Sequence, residues 1–399
     1  MLIEIFIAIL IGILFGIITG LTPGVHINLV AAIVMVSSIK LLGYFPAIYI
    51  GTALISMAIA HTFLDILPTT FLGAADSENA LSILPSHKLL LEGKAGESIK
   101  LSIFGSFLGL IIVIIFSPLI STNVGAAYEI IKDYMVYILV GISILIIWRS
   151  KNYKNALIIF ILSGTMGIVV FSIKTLEQPL MPLLSGLFGV SALVMGVKNK
   201  IKIPEQIEKL KVKVENFKLF GCIITSCIAS LFTSFLPGLT SSHTTMVAST
   251  INEIKDDKDY IIVNSSINTI SMFLSIIAIY SIEKARNGVI VALSNIMSIG
   301  KLHLIYFTCI CLISAFISIL LTLKFEKIFS KAMPKINYKL LSYCIISFIV
   351  FLCFFISGWV GIIVLLTSMF VGIFSTLLNI ERIHLMGALI LPIILYFSL

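Results

Sequence analysis

Apolar stretches of about twenty residues follow one another along nearly the whole chain, and each is long enough to cross a bilayer as a helix. The first covers 2–20, with others at about 45–66, 99–120, 134–149, 155–173 and 179–197. After a basic linker at 198–218 the series resumes at 219–236, 259–282, 302–323, 340–356, 359–378 and 383–398. A 399-residue chain that is 59% hydrophobic and only 12% charged lacks the polar surface to cover a soluble core. This excludes a soluble enzyme, a disordered chain and a secreted disulfide scaffold. Alternating ten-residue barrel segments are absent, so the expected fold is an all-α polytopic membrane protein. The six cysteines lie in apolar runs without CxxC pairing and read as small core residues. No Lys or Arg precedes Lys40, so a cleaved signal peptide is not expected.

Two apolar runs end on a helix breaker. The first stops at Gly20-Leu21-Thr22-Pro23-Gly24-Val25-His26-Ile27-Asn28 and resumes as a shorter stretch, 29–41. The second stops at Leu236-Pro237-Gly238-Leu239-Thr240-Ser241-Ser242-His243. Other short matches keep the same order. Ile55-Ser56-Met57 pairs with Ile270-Ser271-Met272, Ala80-Leu81-Ser82 with Ala292-Leu293-Ser294, and Gly93-Lys94 with Gly300-Lys301. Their offset drifts from 215 to 207, as an internal duplication with short deletions would produce. The expected organisation is a first repeat at 1–198, a basic linker at 199–218 and a second repeat at 219–399. The polar segments 76–98 and 284–299 are counterparts.

Charge orients the repeats. The stretch 198–218, the loop 324–339 and the loop 149–154 carry net charges of +4, +4 and +3. The positive-inside rule places all three in the cytoplasm. The counterpart of 324–339, a loop at 121–133, has a net charge of −1. Matching loops thus fall on opposite sides, as inverted repeats require. Each repeat is then one re-entrant Pro-Gly broken-helix hairpin plus about five transmembrane helices, with both termini outside. The competing topology lets 2–20 cross fully, and it conflicts with at least one basic loop. The +8 net charge is accounted for by these loops, which removes a nucleic-acid partner.

Broken helices in inverted repeats point to a transporter site. A helix that starts at a break offers unpaired N–H groups and the positive end of its dipole to an anion. The candidate substrate-binding residues are Thr22, Pro23, Gly24, Val25, His26 and Asn28 in the first repeat. In the second they are Pro237, Gly238, Thr240, Ser241, Ser242, His243 and Thr244. Helix capping and interhelical packing are the competing reading of these small polar residues. His26 and His243 fit either an anion- or proton-handling role or that of hydrogen-bonded core residues. His61 and Asp65 lie one turn apart on an apolar span, where ionisable groups mark ion or proton paths. The competing reading places Asp65 at the interface, because Pro68 follows. The second repeat has no matching carboxylate. It carries a polar stripe instead, Asn264, Asn268, Ser271 and Ser275, facing the bundle. Its first two members join His61 and Asp65 as ion-coupling candidates. No HExxH, Walker or GxSxG pattern occurs, so neither a metal centre, ATP chemistry nor an enzyme is expected. The linker reads as a solvated connector, with anionic lipid as an alternative contact.

Several stretches resemble the large membrane subunit of tripartite tricarboxylate transporters, the TctA-type permeases. They are Gly20-Leu21-Thr22-Pro23-Gly24, Leu67-Pro68-Thr69-Thr70, Ile83-Leu84-Pro85-Ser86-His87-Lys88, Glu92-Gly93-Lys94-Ala95-Gly96 and Gly105-Ser106-Phe107-Leu108-Gly109. The likeness covers most of the chain in layout and about 1–110 in motif. Thr69 stands where the family has glycine, and Val25-His26-Ile27-Asn28 replaces a Gly/Ser-rich run. The resemblance implies uptake of a di- or tricarboxylate driven by an ion gradient, with Na⁺ or H⁺ as coupling ion and no other cofactor. It also implies a small membrane subunit and a soluble solute-binding protein. Paired Pro-Gly breaks are similar as well to polyprenyl-phosphate carriers of bacterial envelopes, so a lipid phosphate is the alternative cargo. The expected location is the cell membrane, and a homo-oligomer is compatible with the sequence.

Overall fold

The computed structural model describes residues 2–22, 25, 27–73, 83–176, 178–198, 203–207, 216–235, 240–252, 254, 256–285 and 287–398. All of its regular elements are helices. The first half contains α1 (Leu2–Leu21), α2 (Ile27–Val36), α3 (Ser38–Tyr44), α4 (Ala47–Leu64), α5 (Ile66–Leu72), α6 (Ile83–Leu91) and α7 (Ala95–Ile131). It closes with α8 (Met135–Arg149), α9 (Tyr153–Ser172), α10 (Leu180–Leu184), a π-helical turn at Ser185–Val190, and α11 (Ser191–Lys198). The second half contains α12 (Asn216–Phe235), α13 (Ser241–Ile251), α14 (Asp257–Ile282), α15 (Gly288–Ile296), α16 (Lys301–Ala332) and α17 (Tyr338–Leu377). A 3₁₀ turn, Arg382–Met386, leads into α18 (Gly387–Ser398). Among the described residues, 8 helices are long and apolar enough to cross a membrane, or 9 if α2 and α3, bent by 72°, count as one span.

Several boundaries differ from the sequence expectation. The stretch 29–41 is not one short helix but the bent pair α2–α3. The supposed loop at 121–133 is largely helix, because α7 continues to Ile131. Its polar residues include no helix breaker. The one proline, Pro118, lies inside the helix. It cannot donate to Ile114, and the Ser117 hydroxyl supplies that carbonyl's bond at 2.7 Å. The basic segment 324–339 is likewise the end of α16 and the start of α17, separated by a 3₁₀ turn, Met333–Lys335. Gly358 has φ +61° inside α17, where only glycine is unstrained, and it divides that element in two. Cys309 and Cys344 are exposed rather than in the core.

Small residues, rather than a hydrophobic drive, set the helix contacts, as expected in lipid. Gly12, Gly16 and Gly20 form one ridge of α1 against α4. A β-carbon on Gly16 would stand 2.5 Å from Ala60 Cβ, and one on Gly20 2.7 Å from Leu64 Cβ. The same spacing returns 214 residues later as Ser226, Ser230 and Ser234 on α12, where Ser226 and Ser234 bond the Val263 and Ser271 carbonyls of α14. Each central helix then takes its second neighbour from the other half. Ser314 and Thr322 of α16 bond Ser56 and the Phe63 carbonyl of α4. Ser106 of α7 bonds the Ser265 carbonyl of α14 at 2.9 Å, beside Gly105 and Gly109. The outer helices repeat this exchange. Gly167 of α9 rests on Ala388 of α18, and Gly372 of α17 rests on Leu187 of the π-helical turn. The halves are interleaved.

Candidate functional site

The two central helices are the most enclosed. Of the most apolar stretch of α14, 94% is buried, and of α4–α5, 78%, against 33% for α1 and α7. With every side of α14 covered, its polar residues do not single out one face. Gly51 near the start of α4 lies against Leu293 of α15 and Phe307 of α16, on the side where α14 ends. α4 and α14 therefore run in opposite directions, and the end of α4 touches the middle of α14. There Thr269 donates to Thr62 at 3.2 Å, and the Asn268 amide donates to the Asp65 carboxylate at 2.8 Å.

Asp65 sits at a helix break. Pro68 cannot donate to the Leu64 carbonyl, and the Thr69 hydroxyl bonds the Asp65 carbonyl at 2.8 Å. Asp65 is only 6% exposed, so it is buried within the helix bundle. His61 Nε2 stands 4.0 Å from Asp65 Oδ2. On its other edge, His61 Nδ1 is 3.2 Å from the Thr19 hydroxyl, which itself donates to the Gly16 carbonyl at 3.3 Å. A hydroxyl has one proton to give. In the tautomer that donates from Nδ1 to Thr19, the Nε2 edge of a neutral imidazole faces the carboxylate as an acceptor, a pairing that a proton or cation between them would favour.

The helix breaks flank this centre. At the start of α13, Thr240, Ser241 and Ser242 are buried, and Thr245 of the first turn donates to the Asn264 side chain at 3.1 Å. Thr233 of α12 donates to Thr244 at 2.6 Å, which locks the two arms of this break together. On the other flank, Asn28 at the start of α2 accepts from the Gly288 N–H, the first of α15, at 2.9 Å. Asn295 donates to Met35 Sδ at 3.5 Å, so α2 and α15 lie side by side and in parallel. Asn287, which caps α15 through the Ile290 N–H, also reaches Met272 Sδ at 3.6 Å. Asn264 and Met272 are eight residues apart on α14, or about 12 Å, with Asn268 midway. The start of α15, bonded to the start of α2, thus meets α14 on one side of the Asp65–Asn268 bond, and the start of α13 meets it on the other. Each directs a positive helix end into the bundle middle.

The structure joins His61, Asp65 and Asn268, and it places Asn264, Thr244 and Asn28 in the flanking contacts. Thr22 and Val25 are half-buried at the end of α1. Pro23, Gly24, His26, Pro237 and Gly238 lie outside the described residues, as does the side chain of His243. Sequence reasoning missed Thr19, Thr62, Thr269 and Asn287. One signal was available: Thr19 and Thr233 share the 214-residue offset of the Pro-Gly pairs.

The start of α14 is tied to the first half by ions. Lys258 bonds the buried Glu97 of α7 at 2.7 Å, and Lys88 of α6 bonds Asp257 at 2.6 Å, which holds the Lys88 ammonium above its ordinary range. The linker docks beside them. Gln206 accepts from the Ala95 N–H at 3.0 Å and donates to the Leu90 carbonyl at 3.1 Å. Ile207 N–H bonds the carbonyl of Gly93, whose φ is +76°.

The family model described as "Tripartite tricarboxylate transporter TctA family" matches residues 6–387. An uncharacterized protein of Methanocaldococcus jannaschii, MJ1079, is 32% identical over 387 residues, covering 94% of each chain. No solved structure matches.

Proposed function

Because the chain belongs to the tripartite tricarboxylate transporter TctA family, a family of transporters and not of enzymes, we propose that it is the permease that carries a di- or tricarboxylate across the cell membrane on an ion gradient. The observation that carries this reading is the meeting of the α2, α13 and α15 starts around the Asp65–Asn268 bond. Helix starts supply N–H groups and positive potential for the carboxylates of the cargo, and the hydroxyls of Thr22, Thr240, Ser241 and Ser242 add donors. Asp65 and His61 hold the coupling ion. A proton or Na⁺ between Nε2 and the carboxylate relieves the facing acceptors.

The opposite directions of α4 and α14 and the recurring contact ridges support two inverted repeats. Alternating access then comes from rocking of the interleaved halves about a fixed centre. The buried hydroxyls at the start of α13 fit an occluded state. A family member works with a small membrane subunit and a solute-binding protein, and the same partners are proposed here. The basic segments face the cytoplasm and both termini the outside.

The test is uptake of labelled di- and tricarboxylates into proteoliposomes, with and without imposed Na⁺ and pH gradients. Uptake of at least one carboxylate, increased by one gradient, is expected. Transfer of a polyprenyl phosphate with no carboxylate uptake would replace this reading by the lipid-phosphate carrier.

A further inference from the structure

A groove of about 320 Å³ lies where α5 meets the end of α16 and the start of α17. Its floor is Leu67, Pro68 and Phe71 of α5 with Met333, all buried, and Thr22 is its one hydroxyl side chain. Its rim is open. Ile336 and Phe348 are 42% and 41% exposed, and Cys344 is exposed as well. From Leu341 to Phe348 the wall follows α17 for about 10 Å. Along that length it presents only apolar groups and the Cys344 thiol, so its occupant is a hydrocarbon chain and not a polar solute.

The mouth supplies the second constraint. Ile336 follows the turn between α16 and α17 and Leu341 lies in the first turn of α17, beside the segment 324–339 with its five lysines and one glutamate. Lys335 and Lys339 are exposed on either side of Ile336. Lys339 stands 5.9 Å from the Tyr343 ring, an aromatic group placed as at a membrane–water interface. A slot that is apolar along its length and cationic at its mouth matches an amphiphile with a negative head.

We propose that this groove seats one acyl chain of an anionic phospholipid, in the leaflet level with the 324–339 segment, with its headgroup held by Lys335 and Lys339. The seated chain leans on Pro68 and Phe71. These belong to α5, the short helix that follows the Asp65 break, so the lipid braces the segment next to the buried carboxylate. The groove borders the end of α1 at Leu21 and Thr22, and the test below does not depend on the identity of the cargo.

Cys344 places a reporter in the groove, and the exposed Cys309 on α16, which does not line it, serves as control. Two variants keep only one of these cysteines. Each is labelled with a benzophenone maleimide, placed in nanodiscs of equimolar phosphatidylglycerol and phosphatidylcholine, irradiated, and weighed by mass spectrometry. Two surface lysines at a headgroup favour the anionic lipid by about tenfold or more. Cys344 should therefore capture phosphatidylglycerol over phosphatidylcholine by about that ratio, and Cys309 neither in preference. Lys335→Gln with Lys339→Gln should bring the Cys344 ratio to about one without changing the fold, since both side chains are exposed. Leu341→Trp, which fills the groove, should lower capture of both lipids. Equal capture of the two lipids at Cys344, a ratio unmoved by the lysine variants, or cross-linking to a second copy of the chain would each overturn the proposal.

Discussion

Removing the Asn268 amide isolates the bond on which the site is built. Asp65 and Asn268 are each 6% exposed and 2.8 Å apart, and 203 residues separate them in sequence. Asn268→Ala leaves the carboxylate without this donor, whereas the same change made on Asp65→Ala removes nothing further. A hydrogen bond to an ionised group contributes about 1.5–3 kcal/mol. Interhelical bonds in membrane proteins average only about 0.6 kcal/mol by the same kind of cycle. The coupling energy from Asp65→Ala, Asn268→Ala and the double variant therefore also reports the state of the carboxylate. Unfolding in mixed micelles titrated with SDS provides the three free-energy differences. An ionised Asp65 predicts coupling of about 1.5–3 kcal/mol, and a protonated one about 0.6 kcal/mol. Additivity within about 0.3 kcal/mol would show that no such bond joins α4 to α14.

Gly16→Val should cost about 1–3 kcal/mol in the same titration, since its β-carbon would meet Ala60 at 2.5 Å. Gly141→Ala, with open space around it, should stay within about 0.5 kcal/mol. Lys258→Met strands the Glu97 carboxylate, whose side chain is 6% exposed, and should destabilise by about 1–3 kcal/mol. Adding Glu97→Gln should recover part of that loss. Gln206→Ala removes two bonds that hold the linker to the α6–α7 turn. Limited trypsin digestion should then cut at the linker lysines faster, with no change in melting temperature.

The large architecture was legible because its signals are local. Apolar length marked α1, α12 and α14, and Pro-Gly marked the two breaks. Helix ends were harder. The polar ends of α7 and α16 look like loops by composition, but no breaker interrupts them, so the backbone remains helical past the apolar stretch. Tertiary pairing was least legible. Nothing near Asp65 names Asn268 as its donor, and nothing near Asn28 names Gly288. Such pairs depend on which helices adjoin, and the interleaving of the halves sets that. Arg382 illustrates the same limit. It falls between the apolar stretches 359–378 and 383–398, and its guanidinium donates to the Phe188 carbonyl of the π-helical turn at 2.9 Å.

Asp65 is the proposed link between an ion gradient and an anion held at the helix starts. Gradient-driven uptake of a labelled carboxylate, compared between wild-type and Asp65→Asn proteoliposomes, tests that link. The prediction is that wild-type uptake rises when the Na⁺ or pH gradient is imposed. Asp65→Asn, folded to the same extent by its melting curve, should show uptake that no longer responds to the gradient. Equal gradient responses in the two proteins would contradict the assignment of the ion site, and the absence of any carboxylate uptake in the wild type would contradict the function itself.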